Sequence, residues 1–94
     1  MEYFWMRWGD NAEYNDYDSL DNVIDHLIDH YEITEVNWRP DGGFEVPGWR
    51  RLNYVSLFVG DKDAQIIRDL TPDEKEEIDD ALLDFRRKKR NEQY

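Results

Sequence analysis

The chain has 94 residues, 23 Asp and Glu against 12 Lys and Arg, a formal net charge of −11 at pH 7 and no cysteine. That length makes one domain, 1–94, with a single modest core, and the missing cysteines exclude a disulfide framework, a thiolate metal site and a thiol nucleophile. The charge argues against direct binding of nucleic acid or an anionic membrane, because the body of the domain would repel both.

Taken in chain order, the first element is a short aromatic strand over 1–8. Alternation places Phe4, Met6 and Trp8 on one face and Tyr3, Trp5 and Arg7 on the other. Residues 9–17 are polar and turn-rich and read as a loop. Asp18 or Ser19 caps a helix in which Leu20, Val23, Ile24, Leu27, Ile28 and Tyr31 recur at helical spacing. Ile33–Trp38 reads as a strand, RPDGG as a turn into Phe44–Val46, and LNYVSLFV at 52–59 as the strongest strand. AQIIRD at 64–69, after the GDKD turn, could form a hairpin strand or a short helix, and its two β-branched Ile favour the strand. Thr71-Pro72-Asp73-Glu74 is a capping box with Pro at the first helical position, opening a helix with Ile78, Ala81, Leu82 and Phe85 as its apolar stripe and RRKKR at 86–90 as its basic end. The expected fold is α+β, in the order β-α-β-β-β-β-α. A small antiparallel sheet of about four or five strands would have both helices on one face.

The acids are unevenly placed. Residues 1–85 hold 22 acids and 7 bases, whereas 86–94 hold five bases and one acid. From Asp10 to Trp38 there are nine carboxylates and no Lys or Arg. On the first helix Asp21, Asp25 and Asp29 recur every four residues opposite the apolar stripe, flanked by Asp18 and Glu32. On the second, Glu76, Asp80 and Asp84 do the same. Like charges at this spacing repel by a few tenths of a kcal/mol per pair, and Asp29 lies near a helix C-terminus, where the dipole disfavours an anion. Such departures from local stability tend to mark function. On the second helix the acids at 73–77 suit the positive helix start and RRKKR suits its negative end, so its charge order needs no such explanation.

Other constellations are weaker. His26 and His30 stand at i, i+4, a spacing able to chelate zinc, but no further His or Cys completes a site, and no metal or cofactor is expected. Carboxylates close to both histidines should raise their pKa values. DKDAQ at 61–65 begins like a calcium loop, yet Ile66 stands where Gly is required and Pro72 where a bidentate acid is required. No nucleophile elbow, phosphate-binding loop or dinucleotide fingerprint is present, so the chain does not read as an enzyme. Trp5, Trp49, Arg50 and Arg51 could form an aromatic–basic partner-binding patch, since Trp and Arg anchor interfaces.

In size, charge and acidic-helix arrangement the chain resembles the small acidic inhibitors of phages and mobile elements, among them DNA-mimicking antirestriction proteins, anti-CRISPR proteins and glycosylase inhibitors. The resemblance implies a non-enzymatic inhibitor that blocks a basic nucleic-acid-handling protein, using Asp18, Asp21, Asp25, Asp29 and Glu32 and, second, Glu76, Asp80 and Asp84. The alternative is an acidic protein-interaction or immunity-type module that uses the Trp49 and sheet face. No apolar run approaches the roughly 20 residues that cross a bilayer, and MEYFWMRWGD lacks the marks of a signal peptide. The expected location is therefore the cytoplasm, of a host cell if the chain is phage-encoded. A monomer is expected, or a homodimer paired through the first strand if that strand is a sheet edge.

Overall fold

The alternation in YFWMRW decides which side of the sheet becomes core. In the computed structural model, which describes residues 2–9, 14–40, 42–48 and 54–92, strand β1 (Tyr3–Trp8) pairs antiparallel with β5 (Tyr54–Gly60). Phe4 stands opposite Val59, Met6 opposite Leu57 and Trp8 opposite Val55. Directly opposed residues share a face, so these six form the core side. Trp5, Arg7, Ser56, Phe58 and Gly60 fall on the other side. Strands β2 (Asn15–Tyr17), β3 (Asn37–Trp38) and β4 (Phe44–Glu45) complete the order β2-β1-β5-β4-β3, and β6 (Ile66–Arg68) also pairs with β5.

Two helices cover the core side. Helix α1 (Leu20–Asp25) continues without a break into a π-helical turn, His26–His30, and α2 spans Pro72–Glu92. Leu20, Val23, Ile24 and Leu27 from the first and Ile78 and Leu82 from the second join Met6, Trp8, Phe44, Val55, Leu57 and Val59 in one buried cluster. Each such side chain contributes about 1.5–3 kcal/mol when fully buried. Both helix starts are capped as the sequence requires. Ser19 Oγ accepts from the Asn22 N–H at 3.2 Å. The Thr71 and Glu74 side chains each accept from the other's backbone N–H, at 3.1 and 2.8 Å.

The chain leaves the π turn through Glu32, which takes a left-handed conformation (φ 52°). That conformation costs a non-glycine residue about 1–2 kcal/mol. It lets the Ile33 N–H donate to the Leu27 carbonyl at 3.0 Å and sends the Ile33 side chain into the core, 2% exposed. Residues 32–38 then run antiparallel along α2. Glu32 meets Lys89 at 3.6 Å, Thr34–Val36 lie beside Asp79–Arg86, and the Trp38 indole N–H donates to Asp79 at 2.9 Å.

Several expectations need correction. Asn15–Tyr17, expected as loop, is a strand on the outer edge of β1; three polar residues are too few to show alternation. Only Asn37–Trp38 of the expected strand 33–38 enters the ladder, because Ile33 and Val36 both bury toward the core, a spacing of three that strand pairing does not allow. Strand β1 is not an edge: β2 and β5 flank it, so it offers no free ladder to a second copy. The first helix does not keep α geometry throughout. The expected strand 64–69 is present as β6, and the 37–45 hairpin forms with Trp38 opposite Phe44. Its turn needs glycine at 43, where a Cβ would stand 2.1 Å from the Val55 carbonyl oxygen and φ is +77°. Among the described residues no helix is long and apolar enough to cross a membrane.

Candidate functional site

The acids expected on the first helix separate into three environments. Asp18, Asp25 and Asp29 line one open groove of about 570 Å³, with Asp16 and Tyr17 of β2 on one wall and Asn22, His26 and His30 of the helix on the other. Asp21 is exposed on the helix but does not line this groove. Glu32 stands apart, at the helix exit, with Lys89 of α2. The distribution follows from local structure. Asp18 precedes the Ser19 cap, and Asp25 and Asp29 lie a turn apart on the side away from Leu27. Asp16 reaches the rim of the groove because β2 is the edge strand. Its register opposite Trp5 puts it on the outer face of the sheet, while Tyr17, opposite Phe4, faces the helix. Asp16 was missed as a site residue, and recognising β2 is what would have revealed it.

The groove is strongly negative. None of its four carboxylates makes an ion pair among the described residues, and no Lys or Arg appears among the residues that line it. The Tyr17 phenol is pushed up to about 12 by burial, with smaller contributions from Tyr31 and Asp16, so it stays neutral and adds no charge.

The histidines behave differently from expectation. Their rings stack in parallel, centroids 4.9 Å apart and 9° from coplanar, with Tyr17 and Tyr31 packed around His26. The His26 pKa is lowered below 6.5, first by burial and then by the neighbouring His30. The expectation that carboxylates would raise it is overturned for His26, because an aromatic environment desolvates its charged form. A lowered pKa favours the neutral imidazole of His26 at pH 7, so burial keeps this ring from adding positive charge to the groove. No group of three or more His, Cys, Asp or Glu among the described residues is arranged to hold a metal ion.

On α2 the acidic row is less concentrated. Asp84 pairs with Lys88 at 3.3 Å, while Glu76 and Asp80 are exposed, and none of the three reaches the α1 groove. The acids at the start of this helix serve the fold. Glu74 bonds Arg68 at 2.7 Å, and its pKa is lowered chiefly by that bond.

The aromatic–basic patch is only partly in view, because Trp49, Arg50 and Arg51 lie outside the described residues. Trp5 is half-buried, and its indole N–H donates to the Asp61 carbonyl at 2.8 Å, which fastens β1 to the turn after β5. The DKDAQ turn closes on itself. Asp61 Oδ1 accepts from the N–H groups of Asp63 and Gln65, with Ala64 left-handed at φ 62°, so this carboxylate oxygen is engaged in an Asx turn. Compared with protein-family models, with curated proteins and with solved structures, the chain matches none.

Proposed function

We propose that the protein is a non-enzymatic inhibitor whose acidic groove takes the place of nucleic acid on a basic, nucleic-acid-handling protein. The observation that carries this reading is the groove itself: Asp16, Asp18, Asp25 and Asp29 line one open surface, without an ion-pair partner among the described residues. A duplex strand presents one phosphate per about 3.4 Å. A protein surface built to receive such a row with Lys and Arg is electrostatically complementary to this one, which speeds encounter as well as selecting the partner. The acids of α2 are the secondary contact set. Origin in a phage or mobile element, and action in a host cytosol, belong to this proposal through the resemblance in size and charge.

The test is capture of nucleic-acid-binding proteins on the immobilised chain, with duplex DNA as competitor. Under this reading DNA displaces the captured protein, and the double substitution Asp25→Lys/Asp29→Lys abolishes capture. The competing reading places the contact on the aromatic side of the sheet, with the charge serving solubility. It is favoured by the exposure of Tyr14 and Ile66, at 38% and 68%. Capture that survives the double reversal but fails in Trp49→Ala or Tyr14→Ala would establish that alternative and remove the mimic.

A further inference from the structure

The side of the sheet away from the helices holds a second, smaller cavity that shares no residue with the acidic groove. It has a volume of about 170 Å³ and is lined by Tyr14, Tyr54, Phe58, Gly42, Gly43 and Asp69, among others. Drug-sized ligands occupy about 300–1,000 Å³, so this one suits a side-chain head group. Its walls combine aromatic rings with a carboxylate. Tyr14 and Phe58 meet edge to face at 5.8 Å. The place a Cβ would take on Gly42 is 3.4 Å from Asp69 Oδ1, so the missing side chain leaves that carboxylate at the cavity wall. Asp69 is exposed, and its carboxylate makes no ion pair among the described residues. The described lining residues include no Lys or Arg.

The chain itself shows what this combination binds. On the same side of the sheet the Arg39 guanidinium lies over the Tyr54 ring, 4.5 Å from its centroid, and bonds Glu45 at 3.1 Å. A second guanidinium, Arg7, lies 5.1 Å from the centre of the Tyr14 ring. An aromatic face with a carboxylate alongside is thus already used once for an internal arginine, through ring quadrupole and charge together. The cavity holds the same parts: its Tyr14 and Tyr54 rings each already carry a guanidinium of the chain, whereas its Asp69 carboxylate pairs with none among the described residues.

We propose that this cavity receives an arginine side chain of a partner protein, its N–H groups on Asp69 and its guanidinium against the exposed Tyr14 ring on the side away from Arg7. The inference is independent of the acidic-groove reading. In the test, the isotope-labelled full chain is titrated with the peptide acetyl-Gly-Arg-Gly-amide and followed by backbone amide shifts. Its lysine and citrulline counterparts serve as comparisons. The arginine peptide shifts Gly42, Gly43 and Ser56. The citrulline peptide, similar in shape but uncharged, does not, and the lysine peptide binds more weakly. Asp69→Asn and Tyr14→Ala, both at exposed positions, each weaken binding by about threefold or more, the scale of an exposed cation–π contact. Asp25→Lys/Asp29→Lys leaves the shifts unchanged, which separates this site from the groove. Shifts confined to the acidic helix, equal shifts from citrulline or lysine, or indifference to both Asp69→Asn and Tyr14→Ala would overturn the proposal.

Discussion

Glu74 on α2 is gripped by Arg68 at 2.7 Å and by the Thr71 N–H, and Asp84 reaches Lys88 one turn on. Asp25 and Asp29 on the first helix reach no cation among the described residues. The sequence gives both helices an apolar stripe with acids opposite. On α2 the acids at 73–77 sit where the helix dipole favours them, Asp84 lies beside Lys88, and Lys and Arg follow at the other end. On the first helix they extend to the wrong end and gather in a groove. Charge that contributes to the fold needs no further reason to be present. Charge that opposes it does, and the first helix carries such charge at its C-terminal end, where α2 is basic.

The comparison requires that the two helices be equally well docked, so that they differ only on their outer faces. Leu27 and Leu82 are 0% and 1% exposed. Leu27→Ala and Leu82→Ala should each cost about 2–5 kcal/mol, as large-to-small core changes do, measured by urea unfolding of the full chain. A loss well under 1 kcal/mol for Leu27 alone would mean that the first helix is loosely held. Its outward acids would then be a consequence of weak packing.

This equality of docking was legible early. Leu20, Val23, Ile24 and Leu27, and on α2 Ile78 and Leu82, are buried as their periodicity requires, whereas Ile28, Tyr31 and Ala81 are only partly buried against the core and Phe85 is not part of it. Asn15–Tyr17 was not legible, since a three-residue polar strand is fixed by its partner β1 and not by its own pattern. The π turn was hidden for a related reason: His26–His30 has a sequence compatible with α geometry, and the exit through left-handed Glu32 into the core-seeking Ile33 is a tertiary arrangement. The groove was half visible. Asp25 and Asp29 could be read from spacing, but Asp21 of the same row lies outside the groove, Asp16 enters it only through β2, and Glu32 stands apart with Lys89.

Titration should separate the two helices by pH window, with effects smaller than either leucine truncation. His26 has a folded pKa below its ordinary 6.5. Its contribution to stability is therefore complete above pH 6.5 and is lost as pH falls through 6.5 toward the folded value, because the unfolded chain takes the proton first. Glu74 has a folded pKa below 4.5, so its contribution is complete above pH 4.5 and disappears as pH falls through the folded value. Stability followed against pH should thus show a first decline beginning near 6.5 that His26→Gln removes, and a second below 4.5 that Glu74→Gln removes. If His26→Gln leaves the first decline in place, the desolvated stack on His30 is not its source.

The smallest effect is the most discriminating. Asp29→Asn keeps the size of the side chain and removes one charge that faces Asp25 at like sign and a helix end that disfavours anions. It should raise stability by a few tenths of a kcal/mol, visible as a higher urea midpoint with unchanged slope. The same substitution should weaken capture of the basic partner in the DNA-competed assay. A gain in stability joined to a loss of binding is the pattern of a residue kept against the interest of the fold. If Asp29→Asn lowers stability, the carboxylate contributes to the fold after all. The contrast with α2 then disappears, and with it the reason for assigning the groove to a partner.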